Sequence, residues 1–103
     1  MDRIPGLTRD YTASLDRLGI ESGSAAAKAL GRVVRELLTA NGLPLPDDAE
    51  ALLPRIVEGL AGRRIVSAYA RRAKGRRLWL WYLPQGEIIE LLLVTNSPPQ
   101  ALE

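Results

Sequence analysis

The sequence predicts an α+β fold in which two or three N-terminal helices pack on one face of a C-terminal antiparallel sheet of three strands, with room for a fourth short strand at the N-terminus. Three observations predict it. Apolar residues recur at helical spacing up to position 62. From Arg63 the period changes to alternation, rich in β-branched and aromatic residues, and two turn signals, Lys74-Gly75 and Pro84-Gln85-Gly86, divide that region into strands. A chain of 103 residues with 47% hydrophobic content has enough apolar surface for one core and is too short for two ordinary domains. It reads as one domain, mainly helical over 1–62, sheet over 63–96, and a tail over 97–103.

The elements follow in order. Any N-terminal strand is confined to Met1 to Leu7. Thr8 is a candidate N-cap, and Tyr11, Leu15 and Leu18 recur at i, i+4 and i+7 until Gly19, so a first helix is expected over about 9–18. Ser24 can cap a second helix, whose stripe of Ala27, Leu30, Val33, Val34, Leu37 and Leu38 ends at Asn41-Gly42. Pro44 and Pro46 mark a loop. Asp47 and Glu50, three apart, have the spacing of a capping box ahead of Leu52, Leu53, Ile56, Val57 and Leu60, which predicts a third helix, kinked or restarted at Pro54. Asp47, Asp48 and Glu50 read as capping residues on the helix dipole rather than as a metal site.

Strands are expected over about 63–72, 76–83 and 87–95. A bulged turn at Pro84-Gln85-Gly86 would pair Leu83 with Glu87 and Trp81 with Ile89. A two-residue turn at Lys74-Gly75 would set Ala70 opposite Trp79. One face then carries Val66, Ala68, Ala70, Trp79, Trp81, Leu83, Ile89, Leu91 and Leu93, where small residues beside the indoles suggest the core face under the helices. The other carries Ile65, Ser67, Tyr69, Arg71, Arg76, Leu78, Leu80, Tyr82, Ile88, Glu90, Leu92 and Val94, a mixed surface suited to a groove or an interface. A slip of one residue in either turn exchanges the faces.

Charge is distributed unevenly. Of 14 Lys and Arg residues, Arg63, Arg64, Arg71, Arg72, Lys74, Arg76 and Arg77 crowd into one stretch without an Asp or Glu, so the net charge of +2 conceals a basic patch, the usual footprint of a polyanionic partner. The chain has no Cys and no His, which excludes disulfides, thiolate or imidazole metal sites, and nucleophile–histidine pairs. No cofactor or metal is expected. Neither an apolar leader nor a run of membrane-spanning length is present, so the cytoplasm is the expected location and no membrane partner is foreseen.

The stretch RRLWLWYLPQGEIIELLLVTN, preceded by a Gly-flanked basic strand and by the helical opening LTRDYTASLDRLG, resembles the RelE/ParE toxin superfamily of bacterial toxin-antitoxin modules. The likeness covers roughly the sheet region well and the helical region loosely. It implies helices on one face of an antiparallel sheet, a concave opposite face, and an acidic antitoxin as partner. For RelE-like members it implies cleavage of messenger RNA on the ribosome, and for ParE-like members inhibition of DNA gyrase. The tail after Asn96 has no Tyr, His, Lys or Arg, where many RNA-cleaving members keep a catalytic side chain.

Cleavage by attack of a 2′-hydroxyl needs a base, cations for the phosphate charge and a donor to the leaving oxygen. Here it would be metal-independent and would fall to Arg71, Arg76, Tyr82 and Tyr69 on the mixed face. Arg63, Arg64, Arg72, Lys74 and Arg77 would contact RNA backbone or an acidic partner. The alternative is a non-enzymatic module, a gyrase inhibitor or adaptor, using the same face to bind protein. The last strand, apolar on both sides, would suit burial by a second copy of the chain or by a partner helix.

Overall fold

The computed structural model describes residues 3–54 and 67–99. Strand β1 (Ile4–Leu7), helices α1 (Arg9–Arg17) and α2 (Ala25–Thr39), and strands β2 (Ala49–Leu52), β3 (Ser67–Arg72), β4 (Trp79–Gln85) and β5 (Ile88–Thr95) follow one another along the chain. The strands form one sheet in the order β1-β5-β4-β3-β2, with β1 parallel to β5 and the other pairs antiparallel. The α+β class is as expected. The strand count is not: among the described residues five strands stand where three, with room for a fourth, were expected, and the sheet is mixed.

Both helices start where local chemistry places them. Thr8 and Ser24 are the N-caps, and their hydroxyls accept from the amides of Tyr11 and Ala27, each at 3.1 Å. The carbonyls ending α2 are met from outside the helix. Arg3 donates its amide to the Leu38 carbonyl at 3.1 Å, and its guanidinium reaches the Leu37 and Ala40 carbonyls.

The expected third helix is corrected at its start. Ala49–Leu52 is an edge strand paired with β3, Ala49 opposite Ala70 and Ala51 opposite Ala68. The capping-box acids cap no helix there: Glu50 lies within the strand, opposite Tyr69, and Asp48 turns to Arg71 and Tyr82. The remainder of that helix, Arg63, Arg64 and the start of the first expected strand lie outside the described residues.

The hairpins are also reset. Ala70 faces Trp81 rather than Trp79, a shift of two that preserves the faces. At the other hairpin Gln85 pairs with Ile88 across Gly86-Glu87, a tighter loop than expected, with Gly86 at φ +62 in the first loop position. A β-bulge beside Trp81 and Tyr82 then inserts Leu92, so Tyr82 pairs with Leu91 and Trp81 with Leu93. Ile89 and Leu91 therefore move to the tyrosine face, while Leu93 stays with the indoles.

That tyrosine face is the one the helices cover, which reverses the expected assignment. Leu30, Val33 and Leu37 of α2 and Tyr11 of α1 pack with Leu80, Tyr82, Ile89, Leu91 and Val94. Ala51, Ala68, Ala70, Trp81, Leu92 and Leu93 form a second buried cluster. Alternation fixes which residues share a face; with both faces apolar, it gives no preference for the helix side. Beyond Leu7, where β1 ends, side chains of the α1 region finish the β5 edge: Thr8 Oγ1 donates to the Leu91 carbonyl at 2.9 Å and Ser14 Oγ accepts from the Val94 amide at 2.9 Å. No helix among the described residues is long and apolar enough to cross a membrane.

Candidate nucleic-acid interface

The β3–β4 hairpin carries the basic cluster at its free end. Ala73 donates to the Leu78 carbonyl at 2.8 Å and Arg76 to the Ala73 carbonyl at 3.1 Å, closing a loop in which Gly75 takes φ +76, a conformation that side chains rarely adopt. Buried Ala73 anchors this loop in the core under the helices, and residues 74–77 beyond it are exposed. Arg72, Lys74, Arg76 and Arg77 are all exposed, and among the described residues none of them forms a salt bridge. An open cleft runs from Arg76 and Arg77 to Ser24 and Ala25 at the start of α2, and another from Arg72 and Lys74 to Glu36 and Asp47.

Behind the loop lies a polar network, buried at Asp48 and open to solvent at Glu36. Arg71 places Nη1 2.8 Å from Asp48 Oδ1 and Nη2 2.8 Å from Glu36 Oε2. The Asp48 side chain is 0% exposed, and its other oxygen accepts from the Tyr82 hydroxyl and, at 3.1 Å, from the Leu45 amide. Burial works against the Arg71 charge, but hydrogen bonding and proximity to Asp48 and Glu36 outweigh it and hold the guanidinium above its ordinary pKa. Burial, reinforced by the bond to Asp48, raises the Tyr82 phenol well above its usual value. Among the described residues one polar side-chain atom, Arg71 Nε, is buried without a partner.

The structure brings three of the four candidate catalytic residues together. Tyr69 and Tyr82 are cross-strand neighbours with ring centroids 5.8 Å apart, and Arg71 follows on the same face. That face is packed under α2 rather than open, which corrects the expected groove: Tyr82 is 0% exposed. Arg76 stands apart on the hairpin loop. The contact set splits similarly, with Arg72, Lys74 and Arg77 at the tip and Arg63 and Arg64 outside the described residues. Sequence reasoning missed Asp48 and Glu36 as partners of Arg71, since positions 23 and 35 residues away carry no local sign of pairing. Among the described residues no cluster of three or more His, Cys, Asp or Glu is placed to hold a metal ion. Comparison with family models, curated proteins and solved structures gives no match.

Proposed function

We propose that this chain is a RelE/ParE-like toxin that binds RNA through the exposed end of its β3–β4 hairpin, with ribosome-bound messenger RNA as the target and an acidic antitoxin as the partner that neutralises the same cations. One observation carries the reading: Arg72, Lys74, Arg76 and Arg77 project from a rigidly closed loop with no salt bridge among the described residues. Exposed cations at one end of a small fold attract phosphate and release its counterions. The helices on one face of the sheet agree with what the family resemblance implies.

The proposal is one of binding. Of the residues that 2′-hydroxyl chemistry would use, Tyr82 is committed to Asp48, and Arg71 to Asp48 and Glu36, so neither is presented to a substrate. The rival module, a gyrase inhibitor or adaptor working through the tyrosine face, would need another surface, because α2 occupies that one.

The test is charge reversal of Arg76 and Arg77 to Glu together, read as RNA affinity by fluorescence anisotropy with circular dichroism as the fold control. Affinity should fall by roughly tenfold or more. An unchanged affinity in a folded variant would sink the reading.

A further inference from the structure

The two tryptophans of the chain are divided between two tasks. Trp81 is 1% exposed and its Nε1 donates to Thr95 Oγ1 at 3.0 Å, so it is a core residue. Trp79, at the head of β4, is only half-buried and stands directly opposite Arg72. The guanidinium carbon of Arg72 lies 5.4 Å from its ring centroid and that of Arg77 5.9 Å. Arg72 is further held by its Nε, which donates to the Arg76 carbonyl at 2.9 Å, and among the described residues its two Nη groups have no hydrogen-bond partner.

With both guanidinium groups over its ring, the indole and the two arginines together form a cationic π-surface. Arginine and tryptophan both accept a stacked nucleobase, and the same guanidinium can hold a phosphate of the same strand. A base is available for such stacking only when it is unpaired. Duplex RNA keeps its bases stacked on one another and offers this surface phosphates alone.

We propose that Trp79, with Arg72 and Arg77, is a stacking platform for an unpaired base, so that the hairpin end selects single-stranded over double-stranded RNA. This inference rests on the hairpin being an RNA contact, and deepens that reading by naming the form of RNA. Lys74 and Arg76 supply strand-independent attraction, while the indole supplies the discrimination.

The experiment compares three probes by anisotropy: a short single-stranded RNA, the duplex of that strand with its complement, and the same strand carrying abasic sites at its centre. The wild-type chain should bind the intact single strand about tenfold more tightly than either of the others, with quenching of indole emission on binding. Trp79→Leu should bring the single strand down to the level of the duplex, and Trp79→Phe should keep most of the preference. Should Trp79→Leu not fold, the abasic comparison on the wild type and Trp79→Phe decides. Equal wild-type binding of all three probes, or equal weakening of all three by Trp79→Leu, overturns the platform and leaves RNA binding standing. Wild-type binding of none of them removes the RNA reading itself, and the platform with it.

Discussion

A carboxylate without solvent must be charge-paired and hydrogen-bonded, and Asp48 shows how much of the sheet face is organised around one such group. Arg71, Tyr82 and the Leu45 amide converge on it from two strands and a loop. Removing it with Asp48→Ala leaves a largely buried guanidinium with Glu36 alone, which should cost about 3 kcal/mol of stability in chemical denaturation. Tyr82 predicts a pH dependence as well. Burial first, and the bond to Asp48 second, raise its pKa in the folded chain, so the fold holds the phenolic proton more tightly than the unfolded chain does. Its contribution is therefore complete below about pH 10, the unfolded value, and is lost as pH rises from there toward the higher folded value. Denaturant titrations through the alkaline range should show this decline, and Tyr82→Phe should reduce it. Tyr11, raised by burial too, would keep a smaller slope. A Tyr82→Phe variant with the wild-type alkaline profile would contradict this account.

Whole elements were legible in the sequence where their signal was local. Thr8 and Ser24 cap the helices expected of them because an N-cap bonds only to an amide three positions on. The register of the sheet was not legible, because it depends on a bulge at Leu92 and on a hairpin loop tighter than the turn residues suggested. Nor was β2, whose Asp47 and Glu50 matched a helix start while Asp48 was drawn into the sheet by partners distant in sequence. The join between α1 and β5 was equally invisible, since Ser14 reads as a neutral helix position until its hydroxyl is seen to accept from the Val94 amide. Ser14→Ala would orphan that amide in the interior, and about 2 kcal/mol of stability should be lost. Hydrogen exchange at Val94 should accelerate beyond what global destabilisation explains. Unchanged Val94 exchange would mean that the bond has no role in fastening the helix to the sheet.

For the molecule as a whole, the clustering of basic residues was legible and their placement was not. The same stretch of sequence sends Arg71 inward to two carboxylates and Arg72, Lys74, Arg76 and Arg77 outward, a division made by strand alternation and by the burial of Ala73. Among the described residues of this stretch, only the outward group is available to phosphate, and this sets a quantity. If all of them contact the strand, log affinity for single-stranded RNA should fall against log salt with a slope of about −3, and Arg76→Glu with Arg77→Glu should roughly halve it. Reversal of Arg71 should act differently: it would place a third carboxylate beside Asp48 and Glu36 and unfold the chain rather than alter the slope. Anisotropy titrations across a salt series distinguish the two behaviours. A slope near zero for the wild-type chain would mean that the hairpin end makes no phosphate contacts, and a folded Arg71→Glu chain would mean that the network beneath it is dispensable.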